Sequence, residues 1–254
     1  MKIKNYILML LCAAIMLTSF GIRAFGKSAD SWYIMRNGSE TPKIDNSQKI
    51  IYKYNGIYCN ENLSKDKKII YLTFDAGYEN GNLAKILDVL AKKKVKASFF
   101  VLDYLIKKTP ELILKMENDG HLVVNHSKNH KDMTTLTEEE IKLNLSALEE
   151  SYKNLTGKEM KKYFRFPEGR YDERTLSITD KLGYKSVFWS FAYADWDNEK
   201  QPDEKYATDL ILNNTHNGEI LLLHPNSKTN AAILENLIDK WREMGYEFAC
   251  IDTI

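Results

Sequence analysis

Ile69-Ile70-Tyr71-Leu72-Thr73-Phe74, followed by Asp75-Ala76-Gly77, is a short apolar run that halts abruptly at a carboxylate and a glycine. It is too short for an ordinary helix and rich in β-branched and aromatic residues, as a buried strand is. Six further runs have the same character: Ala97–Leu102, Leu122–Val124, Tyr163–Phe166, Ser186–Trp189, Ile220–Leu223 and Phe248–Ile251. Helical patterns lie between them. Leu83, Ile86, Leu87 and Leu90 fall at i, i+3, i+4 and i+7, and Lys92–Lys94 suit a helix C-terminus. Thr137 with Glu140 predicts a capping box ahead of Ile141, Leu145, Leu148, Tyr152 and Leu155, with Gly157 as the stop. Ile233, Leu234, Leu237 and Trp241 form a last stripe before Gly245. Strands separated mostly by helices imply an α/β fold with a parallel sheet, either closed into a barrel or open and doubly wound.

Working outward, residues 27–67 are polar and read as a lead-in wrapped on the domain, with little core of their own. Before them, Lys2 and Lys4 precede an uncharged run from Tyr6 to Ile22, and Ala24-Phe25-Gly26 places small residues before a possible cut. Residues 1–26 therefore read as a secretory signal peptide, with an uncleaved membrane anchor as the alternative. Either way the body lies outside the membrane, and membrane contact is confined to that segment. The 254 residues carry a formal charge of +1, which gives no argument for a nucleic-acid partner. Cys12 sits inside the apolar run as filler, while Cys59 and Cys250 are expected as unpaired thiols, a disulfide being permitted in that compartment.

Reactive residue types gather just after the strand-like runs, where parallel α/β folds build their sites. Asp75 ends the first run, His126 and His130 follow the third, Arg165 closes the fourth, Asp195 and Trp196 follow the fifth, and His224 ends the sixth. Singly, each has an ordinary structural explanation: a turn-forming carboxylate, a satisfied core imidazole, a plain ion pair. Together they suggest a mechanism. Two His four residues apart share one side of a helical turn and can reach one metal ion. Asp75 beside it can take a proton from water, with Arg165 holding the carboxylate ionised. Asp195 would keep His224 protonated near neutral pH.

At these positions the sequence resembles the polysaccharide deacetylase, or NodB-homology, family. Its blocks recur in order as Thr73-Phe74-Asp75, His126-Ser127 with His130, Arg165-Phe166-Pro167 with Gly169, Asp195-Trp196, and Leu222-Leu223-His224. The resemblance covers residues 68–252 and implies a distorted, incomplete (β/α) barrel of seven or eight units. Thr73 through Gly81, Phe188-Trp189-Ser190, Trp32 and Asn37-Gly38 further resemble the muramic δ-lactam-forming de-N-acetylases of endospore-forming bacteria. The resemblance implies zinc on His126 and His130, Asp75 as base, His224 as acid, and an oxyanion contact from a backbone N–H near Glu168. Trp196 and Leu222 would line the acetyl pocket, beside Glu168 and Gly169, and the partner would be a peptidoglycan glycan strand.

Two departures stand out. Ala76 occupies the place of the family's third metal ligand, so zinc should be held weakly unless Asp75, Asn125 or substrate completes the set. Glu168 stands where an aromatic residue is common. Two rival readings follow: a de-N-acetylase of N-acetylglucosamine in peptidoglycan or chitin-like chains, and an inactive glycan-binding barrel.

Overall fold

The run at Ile69 forms an interior strand of the sheet, eight residues long. In the computed structural model, which describes residues 29–64 and 67–254, the strands are β1 (Asp30–Ser31), β2 (Ile69–Ala76), β3 (Ser98–Val101), β4 (Leu122–Asn125), β5 (Tyr163–Phe164), β6 (Arg170–Tyr171), β7 (Lys185–Ser186), β8 (Glu219–Leu223) and β9 (Glu247–Phe248). The helices are α1 (Ile50–Lys53), α2 (Asn82–Lys93), α3 (Asp103–Lys108), α4 (Pro110–Asn118), α5 (Glu138–Thr156), α6 (Glu173–Lys181), α7 (Glu204–Asn213) and α8 (Lys228–Glu243). Each of the seven expected runs supplies a strand to one sheet of order β7-β5-β4-β3-β2-β8, with β9 also on β2, and every pairing in it is parallel.

This sheet curls until its ends meet at a single point. Past β7 the chain leaves the ladder and reaches β8, where Phe191 bridges Leu221. Ser190 N–H donates to Ile220 O at 3.0 Å and Leu222 N–H to Phe191 O at 2.9 Å. An isolated bridge in place of a full ladder makes the barrel incomplete and excludes the open doubly wound alternative. Apolar layers form on both sides of the wall. Ile70, Leu72, Phe74 and Ala76 point out to the stripes of α2 and α8, and Tyr71 points in to Phe100, Val124, Val187 and Ile220. Burial on both faces is why β2 reads as continuous apolar sequence, each such side chain contributing about 1.5–3 kcal/mol. The helix signals hold as well: Thr137 and Glu140 form the capping box, and Gly157 ends α5 at φ 71°.

Within residues 29–64 the structure departs from expectation. Trp32, Ile51, Tyr58 and Cys59 are buried against Phe164, Phe166, Tyr171 and Phe188, a second core of their own. β1 pairs antiparallel with β6, which extends the lead-in's hold on the domain. These apolar residues fall in short clusters among polar ones without a helical or strand period, so no pattern announced their burial. Cys59 and Cys250 are both free thiols, as expected. The signal or anchor segment, 1–26, lies outside the described residues, among which no helix is long and apolar enough to cross a membrane.

Glu219 opens β8 with no exposure, and neither carboxylate oxygen has a hydrogen-bond partner at normal geometry. Burial pushes its pKa well above 4.5, with the His216 backbone as a partial offset. The folded state therefore holds this proton to higher pH than the unfolded chain does. Its contribution to stability is intact below about pH 4.5 and declines as pH rises towards the folded pKa, by at most about 1.4 kcal/mol per pH unit. Glu219→Gln, which mimics the protonated form, should melt progressively higher than the wild type between pH 5 and pH 8. A difference in Tm that is constant across that range would show that the carboxyl is already ionised in the fold.

Candidate active site

Asp75 lies inside β2, opposite Phe100 of β3, rather than just beyond the strand. Strand alternation puts Thr73 and Asp75 on the lumen side and sends Ala76 into the helix-facing core. Arg165, directly after β5, joins the two lumen-side groups. Its Nη1 donates to Asp75 Oδ1 at 2.8 Å and its Nη2 to Thr73 Oγ1 at 2.9 Å, while Nε and Nη2 reach the Val187 and Phe188 carbonyls. The guanidinium is fully buried and stacks 4.0 Å from the Phe100 ring centroid. A buried charge is tolerable only when satisfied in this way. Burial raises the Asp75 pKa, but the charges of Arg165, His126 and His224 and the Arg165 hydrogen bond outweigh it, so the carboxyl stays below 3.8.

His126 and His130 do not lie on a helical turn. They sit in an irregular loop after β4, with Ser127 at φ 81° and His130 at φ 56°. Polar side chains fold that loop: Asn125 Oδ1 accepts the Ser127 N–H, Ser127 Oγ accepts the His130 N–H, and Asn144 Oδ1 of α5 accepts the Lys128 N–H. The rings nevertheless come together, with centroids 5.0 Å apart, and His126 Nε2 is 3.5 Å from Asp75 Oδ2. His126 Nδ1 lies 3.0 Å from the Arg165 carbonyl, which can only accept, so that nitrogen carries the proton. Burial drives the His126 pKa down to about 4. At neutral pH its Nε2 therefore presents a lone pair, as a metal-binding imidazole must.

These donors fit a divalent cation, though incompletely. No group of three His, Cys, Asp or Glu able to hold a metal exists among the described residues. Asn125 is fully buried, its Oδ1 accepting the Ser127 N–H and its Nδ2 donating to Leu145 O and Tyr184 Oη.

His224 directly follows β8, on the other side. Its Nδ1 lies 2.8 Å from Asp195 Oδ1, and its backbone N–H donates to Asp195 Oδ2 at 2.8 Å. Burial lowers the imidazolium pKa, but the charge and hydrogen bond of Asp195, with help from Asp75, carry it above 6.5. Asn230 of α8, which the sequence did not single out, donates to Asp195 Oδ2 at 2.6 Å and to the His224 carbonyl at 3.1 Å.

All these groups meet at one cavity of about 660 Å³, the size of a small-ligand site. Asp75, His126, His130, Glu168, Gly169, Trp196, Leu222 and His224 line it, while Arg165 and Asp195 lie fully buried behind them. Trp196 is 58% exposed and stands at the mouth, 6.1 Å from the His224 ring, so Leu222, at 5% exposure, is the inner of the two expected acetyl-pocket residues. Glu168 is held in the left-handed region, at φ 55° and ψ 12°. Sequence reasoning missed Tyr78, Leu102, Ala192, Tyr193 and Asn226 as lining residues. Gly169 shows why a small residue stands there: a Cβ would lie 2.7 Å from the Trp189 ring and 3.0 Å from Trp32 Cβ, at φ 64°.

The polysaccharide deacetylase family model matches residues 62–187. The chain is 40% identical over 255 residues to an uncharacterised 30.6 kDa protein of Geobacillus stearothermophilus, covering 98% of this chain and 95% of the other. It is 38% identical over 247 residues to the peptidoglycan-N-acetylmuramic acid deacetylase PdaA of Bacillus subtilis, covering 96% and 93%. The solved structure of B. subtilis PdaA, a family 4 carbohydrate esterase, superposes with a TM-score of 0.84 over 89% of this chain and 96% of that one.

Proposed function

The chain belongs to the polysaccharide deacetylase family, a family of hydrolases, and on that premise we propose that it removes the N-acetyl group from N-acetylmuramic acid in peptidoglycan, leading to muramic δ-lactam in spore cortex. The observation that carries the reading is the pair of opposed titrations at one cavity. Arg165 holds Asp75 ionised, and Asp195 holds His224 protonated. Two groups driven apart in this way are the signature of an acid and a base. The similarity to PdaA, lead-in included, favours muramic acid as the sugar. Peptidoglycan lies outside the cytoplasmic membrane, so the enzyme acts there.

In this reading Asp75 takes a proton from the attacking water, and His224 returns one to the sugar nitrogen as the C–N bond breaks. Because Nδ1 of His224 is engaged with Asp195, the donated proton comes from Nε2. A divalent cation on His126 and His130, zinc by the family resemblance, would supply Lewis acidity when bound. A backbone N–H near Glu168 would add a donor to the oxyanion. Leu222 and Trp196 would border the acetyl group, and Glu168 and Gly169 the sugar. The freed amine and the lactyl carboxylate of the same sugar are then close enough for ring closure.

Acetate release from glycan strands stripped of stem peptides, with products followed by mass spectrometry, tests the proposal. Deacetylated muramic acid or its δ-lactam is expected, and activity should fall with a chelator. Glucosamine as the sole deacetylated sugar would move the function to the N-acetylglucosamine reading. Retained glycan binding without turnover, whichever divalent metal is added, would mark an inactive barrel, the reading that Ala76 motivates.

A further inference from the structure

The lead-in touches one wall of the cavity at three points. Trp32 N–H donates to Gly169 O at 2.8 Å, Trp32 Nε1 to Trp189 O at 2.9 Å, and Arg36 Nη2 to Ala192 O at 2.9 Å. Gly169, Trp189 and Ala192 all line the cavity. Arg36 is thereby held beside that wall through the Ala192 carbonyl, its guanidinium 5.3 Å from the Phe191 ring centroid. Neither a carbonyl nor an aromatic ring neutralises a guanidinium. The side chain is exposed, and four of its five N–H donors are left over after the bond to Ala192.

No lining residue of the cavity is Lys or Arg, whereas Asp75 and Glu168 are both acidic. Arg165, behind the lining, is fully buried and engaged with Asp75, Thr73 and two carbonyls. Inside the cavity the His224 imidazolium is already balanced by Asp195 and Asp75, so an anionic sugar finds its uncommitted cation in Arg36, beside the wall. N-acetylmuramic acid differs from N-acetylglucosamine by a lactyl ether, which ends in a carboxylate once no peptide is attached. We propose that Arg36 binds this lactyl carboxylate, and that the lead-in is the part of the chain that selects peptide-free muramic acid. The inference rests on the muramic acid reading above. A planar fork suits a carboxylate better than a point charge does, so Lys should replace Arg36 only partly.

The test compares the full-length wild type, Arg36→Gln and Arg36→Lys on two substrates: peptide-free glycan strands, and the same strands with lactyl carboxylates converted to methylamides. Arg36→Gln should lower kcat/KM on the free carboxylate about tenfold, mainly through KM, the scale of one charge-assisted contact at an exposed site. It should leave the methylamide strands unaffected, and Arg36→Lys should fall between. Equal losses on both substrates would make Arg36 a structural brace, and no loss on either would make it a bystander. Each overturns the inference while the deacetylase reading stands. Failure of the wild type to deacetylate muramic acid in either substrate would overturn both.

Discussion

Asp75→Asn should lower kcat/KM for acetate release about 10²-fold or more, the scale on which a general base acts, and should also lower the melting temperature. The substitution keeps the size of the side chain and its ability to accept from Arg165, but removes the negative charge. Two consequences follow from the geometry. A neutral amide cannot take a proton from water, so turnover falls even when substrate binds. Arg165, with no exposure, loses the carboxylate 2.8 Å away that balances its charge. Breaking a buried pair from one side typically costs about 3–5 kcal/mol, and the remaining bonds to Thr73, Val187 and Phe188 temper that loss. Glycan affinity separates the two effects: a folded variant that still binds glycan but does not turn over supports the role in proton transfer. Turnover near the wild-type level would remove Asp75 from the chemistry.

The wall of the barrel was legible because its strands are buried on both faces. Continuous apolar runs such as Ile69–Phe74 signal that environment directly, and the helix stripes between them fix the alternation. The convergence of the candidate site residues was legible by type and order, since Asp75, Arg165 and His224 sit on or against strands whose positions the sequence marks. The shape of the histidine loop was not. Spacing of four suggests a helical turn, but Asn125, Ser127 and Asn144 offer the loop backbone alternative partners, and Ser127 and His130 take positive φ. Long-range placement was hidden as well. Nothing local in the sequence tells Trp32 to donate to Trp189, 157 residues away, or Asn230 to hold Asp195. The lead-in looked marginal by pattern, yet it braces a wall of the cavity through contacts that no periodicity encodes.

His224→Ala is expected to reduce turnover by about 10²- to 10⁴-fold, because a sugar amine leaves poorly unless it is protonated as the C–N bond breaks. The more discriminating variant is Asp195→Asn. In the wild type the Asp195 carboxylate accepts from His224 twice and from Asn230 once, and its charge keeps the imidazolium protonated above pH 6.5. The sign follows: the acid is present below the raised pKa and is lost as pH climbs through it. Without the Asp195 charge that pKa falls, so the alkaline limb of the kcat/KM profile should move to lower pH. Activity at pH 8 should then drop more than activity at pH 6. A structural role for Asp195 alone would lower the whole profile without moving that limb. A limb that stays in place in Asp195→Asn, or a His224→Ala enzyme that retains wild-type turnover, would assign the proton on the leaving amine to another group at the cavity. Tyr78 and Tyr193, both of which line it, would be the next to test.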